Sequence, residues 1–333
     1  MKTSSHRQEV LPARQEATSN VVSQMVKSPP TLVRDRGNAA KFAWEEFIYG
    51  QIRNTHTRRA YERVARRFLN WSEHRGLELH TIAPAHVGLY LDELPHAISS
   101  KKAYLAALRH LFDILVNRHV VVLNPAASVR GERYQVIEGK TPEISVEQAR
   151  RLLNSIDTSK VVGLRDLAII AILIYTAARV GAVASLRCGD FIDTGEQYVL
   201  RFLDKGGKSR EIPVRHDLQR MILEYQAESN IQVRSSDAPL FLSANRRTKM
   251  LCDSKLSAGD AGRMVKRRLK NAGLPTRLSP HSFRVATITN LLEQNVALED
   301  VQNLAGHADP RTTRLYDRRQ RKVTRNIVER ISI

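Results

Sequence analysis

Cysteine is almost missing from this sequence: Cys188 and Cys252 are the only two in 333 residues. A single pair cannot staple a chain of this size, which excludes a disulfide scaffold and fits a reducing compartment. Long apolar runs are missing too. The greasiest stretch, Leu164 to Tyr175, contains Arg165 and Asp166 and is too short to cross a bilayer. No apolar core of signal-peptide type opens the chain, so the expectation is a soluble protein of the cytoplasm. No 20-to-50-residue repeat is evident. Nor is there a His/Cys/Asp cluster with metal-ligand spacing, and no cofactor is expected.

Acidic residues are also scarce. Asp and Glu number 34 against 53 Lys and Arg, a formal charge of +19. The excess runs along the whole chain and is not confined to a tail, so positive potential should cover much of the folded surface and favour polyanions. Charge by itself does not separate nucleic acid from an acidic membrane or an acidic protein.

The length allows two domains with separate cores. Residues 1–36 are rich in Ser, Gln, Arg and Pro with little apolar periodicity, and are expected to form a disordered basic arm. From 37 to 130 the pattern is helical: Phe42, Phe47, Tyr61, Val64, Phe68 and Trp71 recur at three- and four-residue spacing. A second helix, 99–117, sets Tyr104, Leu108, Leu111 and Leu115 on one face, with Lys101, Lys102 and Arg109 elsewhere on it. Asn124-Pro125 closes this block, and 131–142 reads as a linker. A second domain, 143–333, opens at Ser145, whose spacing to Gln148 matches a capping box. An apolar helix at 164–175 follows. Tyr198 to Leu203 and Glu211 to Val214 flank Asp204-Lys205-Gly206-Gly207-Lys208, the one strong β-hairpin signal. Beyond 255 the chain is helical again. The fold class is therefore mainly α with a small β-hairpin or sheet: a helical N-terminal domain, then a mixed, mostly helical one.

Ser279-Pro280-His281-Ser282-Phe283-Arg284 reads as a helix start, with Ser as N-cap and Pro in the first helical position. His281 and Arg284, three apart, share a face beside free backbone N–H groups, a good phosphate site. An ordinary surface His/Arg pair fits the same residues. In Leu304-Ala305-Gly306-His307-Ala308-Asp309-Pro310 a helix ends at Gly306 and another begins after Asp309, leaving His307 on the turn and Tyr316 in the following helix. Singly, His307 reads as a structural turn residue and Tyr316 as an amphipathic side chain half in the core. Arg179 follows the apolar run Ala168 to Ala178 and needs an anionic partner, either a phosphate or an internal carboxylate such as Asp166 or Asp190. Lys205, on the hairpin turn, has the reach to meet a ligand but is equally an ordinary solvated lysine.

Taken together, Arg179 in Thr176-Ala177-Ala178-Arg179, the hairpin Lys205, His281-x-x-Arg284, Gly306-His307 and Tyr316 nine residues after His307 resemble, in order and spacing, the phage integrase or tyrosine recombinase family. The resemblance extends over roughly residues 40–331. It implies a site-specific DNA recombinase, with residues 37–130 as a SAM-like core-binding domain that clamps DNA and 143–333 as the catalytic domain. Double-stranded DNA with specific recombination sites and a homotetramer on synapsed DNA are the implied partners. Lys101, Lys102, Arg109 and Lys208 are the candidate DNA contacts. Two positions depart from the pattern. Many members have Gly where Ala177 stands, and an acidic residue where this chain has Ala182, which puts in doubt the support that a carboxylate gives a catalytic histidine.

The implied reaction is attack of the Tyr316 phenol on a DNA phosphodiester, giving a 3′-phosphotyrosyl link and a free 5′ hydroxyl. Arg179 and Arg284 would stabilise the five-coordinate phosphorane, with a further hydrogen bond from His307. His281 is the candidate base for the phenol. By resemblance Lys205 protonates the departing 5′ oxygen, with Lys208 the alternative. Val323, Ile327, Val328 and Ile331 form a stripe in the tail suited to docking on a neighbour. A type IB-like topoisomerase or a non-catalytic DNA-binding relative are the competing readings. Target sequence, accessory proteins and purpose (integration, excision or resolution of mobile DNA) are not encoded in these motifs.

Overall fold

The structure, a computed structural model, describes residues 28–132, 141–203, 209–230, 234–245, 248, 250–307 and 309–316. The chain divides into two compact units, 1–135 and 136–333, each with its own hydrophobic core.

The first unit is all helical: α1 (Thr31–Arg34), α2 (Asn38–Glu45, running on as a π-turn at Glu46–Gly50), α3 (Thr55–Glu73), α4 (Pro84–Glu93) and α5 (Ile98–Asn117). Asn54 caps α3, its Oδ1 accepting from the N–H groups of His56 (2.9 Å) and Thr57 (3.2 Å). The apolar spacing works as the sequence predicts. Val64 and Phe68 are buried on α3, while Leu108, Leu111 and Leu115 are fully buried on α5. Phe68 is the hub, edge-on to both Tyr90 (5.0 Å between ring centroids) and Phe112 (6.0 Å).

One expectation needs correction here. The arm does not extend to residue 36: Pro30 leads into α1, and Val33 is fully buried in the first core, so burial of this one side chain orders residues 31–34. The rest of that expectation, residues 1–27, lies outside the described residues. Arg109 makes a structural tie. Its Nε and Nη2 donate to the carbonyls of Ala126 (3.1 Å) and Val129 (2.5 Å), holding the segment after α5 against the helix. Lys101 is half-buried and Lys102 exposed on the same helix.

The second unit opens at α6 (Val146–Asn154) with the predicted capping box: Ser145 Oγ accepts from Gln148 N at 3.2 Å, and Ser145 N donates to Gln148 Oε1 at 3.1 Å. Then come α7 (Val161–Thr176) and the short α8 (Val180–Ala184). Strands β1 (Phe191–Asp193), β2 (Tyr198–Leu203) and β3 (Ser209–Pro213) form an antiparallel sheet in that order. The predicted hairpin is β2–β3, with Leu203 opposite Ser209 at the end next to residues 204–208. After α9 (His216–Ser229), strands β4 (Leu242–Ala244) and β5 (Leu251–Lys255) pair antiparallel, and α10 (Ala258–Asn271), α11 (Pro280–Glu293), α12 (Leu298–Ala305) and α13 (Pro310–Arg314) follow. Strands β1, β4 and β5 were not expected. β1 and β4 have three residues each, too few to show alternation, and β5 reads Leu-Cys-Asp-Ser-Lys with its last three residues exposed.

The apolar α7 is the axis of this unit, packed by α9 and α11, with Ala168 through Leu173 all inaccessible. The charges in its first turns are neutralised in place. Asp166, fully buried, accepts through Oδ1 from Arg165 (Nη2, 2.7 Å) and through Oδ2 from Arg268 (Nε, 2.9 Å), while Arg165 also donates to the Leu242 carbonyl at 2.7 Å. This network joins α7, β4 and α10. Removing one member leaves a buried charge without its counter-ion, which is strongly destabilising. We expect Asp166→Ala to lower stability by about 3–5 kcal/mol in urea unfolding. Arg267→Ala, whose side chain is half exposed and sits 3.3 Å from the same carboxylate, should change it by under about 1 kcal/mol.

Candidate active site

The site is assembled from three places in the second unit where a helix starts or stops. Helix α7 ends at Ala177, which adopts the left-handed conformation (φ 50°, ψ 21°) and is fully buried. That backbone is ordinarily a glycine position, filled here by the smallest residue that carries a Cβ. The reversal turns the chain outward, and Arg179, two residues on, is the exposed N-cap of α8. The internal carboxylates considered as its partners are engaged elsewhere. Asp166 binds Arg165 and Arg268, and Asp190 Oδ2 accepts from the Arg187 N–H at 2.8 Å.

Helix α11 begins as the sequence predicts. Pro280 is its first residue, and the Ser279 N–H donates to Ser282 Oγ at 3.0 Å. His281 lies in the exposed first turn. Arg284, one turn further, is buried, with 2% of its surface accessible, and its Nη1 donates to the carbonyl of Ala177. The two helix ends are thereby locked together.

The third place is the end of α12, where Gly306 supplies the left-handed cap (φ 61°) and His307 follows on the turn. Gln302 grips His307 by both backbone groups: the His307 N–H donates to the Gln302 carbonyl at 3.1 Å, and Gln302 Nε2 donates to the His307 carbonyl at 3.0 Å. The ring is nearly buried. Its Nδ1 is 2.8 Å from Thr313 Oγ1, and its face lies parallel to the Tyr316 ring (7°, centroids 5.9 Å apart). Asp309 caps α13, accepting from the Arg311 N–H at 2.9 Å. Tyr316 sits on the turn that closes α13, not within the helix as expected: α13 stops at Arg314, and the Tyr316 N–H donates back to the Thr313 carbonyl at 3.0 Å. Its hydroxyl reaches the other histidine, 3.3 Å from His281 Nε2.

The structure thus gathers Arg179, His281, Arg284, His307 and Tyr316, while Lys205 and Lys208 lie outside the described residues. Electrostatics tie the two histidines to the two arginines. Desolvation, then the guanidiniums of Arg284 and Arg179, push the His281 imidazole below its usual range. The same causes in the same order, joined by His281 and Arg210, push His307 down to about 3. Both imidazoles are therefore neutral at pH 7, each with one donor and one acceptor nitrogen.

Three residues that shape this arrangement were not singled out from the sequence. Gln302 and Thr313 orient His307. Arg210, on β3, donates to the Leu304 carbonyl and stacks its guanidinium over Phe202 at 5.4 Å, tying the hairpin to the end of α12. A lone Thr or Gln on a short helix carries no signal of its own.

A phenol thus lies in hydrogen-bonding reach of one neutral imidazole and against the face of a second, and two arginines act on both histidines. Residues 143–322 match the profile of the Phage integrase family, and residues 44–119 that of the Phage integrase, N-terminal SAM-like domain. Tyrosine recombinase XerD of Corynebacterium glutamicum is 29% identical over 270 residues, covering 77% of this chain and 85% of that protein. Tyrosine recombinase XerC of Herpetosiphon aurantiacus is 30% identical over 231 residues, 68% of this chain and 72% of the relative. In fold, the chain is similar to the XerH site-specific recombinase bound to palindromic difH substrate (TM-score 0.67, 19% identity, 93% of each chain). It is also similar to a lambda integrase tetramer bound to a Holliday junction (TM-score 0.59, 16% identity, 92% of this chain and 88% of that one). The chain belongs to the phage integrase family and is a site-specific tyrosine recombinase. The topoisomerase and non-catalytic readings are not favoured.

The depressed His307 carries a stability signature. A histidine that titrates near 6.5 when unfolded but at about 3 when folded leaves the unfolded state binding more protons between those values. Its contribution is fully present above pH 6.5 and is lost as pH falls toward 3, and His281 shifts in the same sense. We expect wild-type stability to fall by up to about 1.4 kcal/mol per pH unit from this group below pH 6. The His307→Asn variant should show a shallower acid slope in thermal melts from pH 7 to 4.5. An equal slope in the two proteins would contradict the assignment.

Proposed function

We propose that Tyr316 is the nucleophile of strand cleavage, and the observation that carries this reading is its hydroxyl 3.3 Å from His281 Nε2. His281, held neutral, accepts the phenolic proton as Tyr316 Oη bonds to phosphorus. Arg179 and Arg284 neutralise the charge that builds on the non-bridging oxygens, and His307 adds a hydrogen bond. The P–O5′ bond breaks as Lys205, or Lys208 on the same turn, gives the 5′ oxygen its proton. The product is a 3′-phosphotyrosyl link with a free 5′ hydroxyl. Reversal by the 5′ hydroxyl of another strand rejoins DNA without an external energy source.

The finer description rests on the same reading. Residues 37–130 act as the DNA clamp, with Lys101 and Lys102 on phosphates; the remainder, from 143, is the catalytic domain. The enzyme works as a homotetramer on two synapsed sites, a reading supported by the lambda integrase tetramer bound to a Holliday junction, and the stripe at Val323, Ile327, Val328 and Ile331, outside the described residues, docks on a neighbouring protomer. Its setting is the nucleoid of the cytoplasm; among the described residues no helix is long and apolar enough to cross a membrane. Integration, excision or resolution of mobile DNA is the biological task.

Tyr316→Phe should retain DNA binding and yield no covalent protein–DNA adduct on denaturing gels; a normal adduct refutes the nucleophile. The roles of the cations separate on DNA whose bridging 5′ oxygen is replaced by sulfur, because a thiolate leaves without a proton. Lys205→Ala should be nearly inactive on ordinary DNA and recover on the thio substrate, whereas Arg179→Ala and Arg284→Ala should stay slower by about 10²- to 10³-fold on both. Recovery by Lys208→Ala alone would move the general acid to Lys208.

A further inference from the structure

Thr313 is fully buried, and among the described residues the partner of its hydroxyl is His307 Nδ1, 2.8 Å away. A hydroxyl carries a proton that must go to an acceptor, and a buried donor left without one is costly. If Nδ1 held the ring proton, it would donate to Oγ1 and strand the hydroxyl hydrogen inside the protein. If Nδ1 is the bare nitrogen, the hydroxyl donates to it and both groups are satisfied. Turning the ring over would set a carbon against Oγ1 and leave the hydroxyl without an acceptor, so the orientation with Nδ1 inward is the satisfied one. Gln302 holds the backbone of His307 on both sides, and Tyr316 covers one face of the imidazole.

We propose that Thr313 is a positioning residue that fixes His307 as the Nε2–H tautomer, so that His307 meets the scissile phosphate as a neutral hydrogen-bond donor through Nε2. The second clause rests on the function proposed above; the tautomer itself does not. The assignment explains how a histidine surrounded by Arg179, Arg210 and Arg284 remains useful at a phosphate: it offers its one proton outward and carries no positive charge that the arginines would oppose. A hydroxyl that donates to Nδ1 enforces the Nε2–H form, whereas a carboxylate can only accept and would enforce a ring proton on the nitrogen it binds.

The test is two-bond ¹H–¹⁵N correlation on the full chain labelled with ¹⁵N-histidine, with His307 assigned by its loss in His307→Asn. Wild type and Thr313→Ser should show a protonated Nε2 and a bare Nδ1. Thr313→Val, close to threonine in shape but without a hydroxyl, should show exchange between tautomers or the opposite one. A wild-type spectrum with the proton on Nδ1 overturns the proposal, as does an unchanged Nε2–H form in a folded Thr313→Val protein. A kinetic arm separates this from the functional reading: covalent adduct formation on nicked duplex DNA bearing the site mapped from the protein's own adducts. Thr313→Val should be slower by about 10- to 100-fold, with Thr313→Ser restoring most of the rate. A changed tautomer with an unchanged rate keeps Thr313 as the orienting group and removes His307 from the phosphate. An unchanged tautomer with a slowed rate removes Thr313 from this role.

Discussion

The carbonyl of Ala177 is the point on which the site hangs. It belongs to a left-handed residue that ends the most apolar helix of the catalytic unit, and it receives Nη1 of the buried Arg284. A guanidinium inside a protein must be held by acceptors or it destabilises the fold. The same contact that holds Nη1 of Arg284 ties it to the chain two residues before Arg179. The small apolar cluster around it, Ile288, Leu292, Val301 and Ala305, joins α11 to α12 and carries the order onward to His307.

Around that anchor, charge is arranged by subtraction. Burial and the two arginines remove the proton that either histidine would otherwise bind near neutrality. The site's positive charge is therefore concentrated on guanidiniums, which do not titrate, and the imidazoles are left as neutral devices for moving or sharing a proton. This division follows from position alone. His281 lies at an exposed helix start in reach of the Tyr316 phenol, whereas His307 lies in a turn closed over by Thr313 and Tyr316.

Much of this was legible in the residues. Helix starts at Ser145 and Ser279, the stop at Gly306 and the hairpin around residues 204–208 are written in capping and turn chemistry, which acts over three or four positions. The apolar periods at 42–71 and 99–117 gave the first unit its helices. Strands β1, β4 and β5 were not legible, because a three-residue or largely polar strand exists through its partner and not through its own pattern. The structural tie made by Arg109 was illegible for a related reason. A basic residue on a helix looks the same whether it faces a phosphate or the carbonyls of Ala126 and Val129. Thr313 and Gln302 matter through contacts that only folding makes.

The stacking of Tyr316 on His307 and its approach to His281 are made within one chain. Tyr316 therefore couples the two histidines, meeting His307 with its ring face and His281 with its hydroxyl. A shift of the turn that closes α13 is felt at both imidazoles at once.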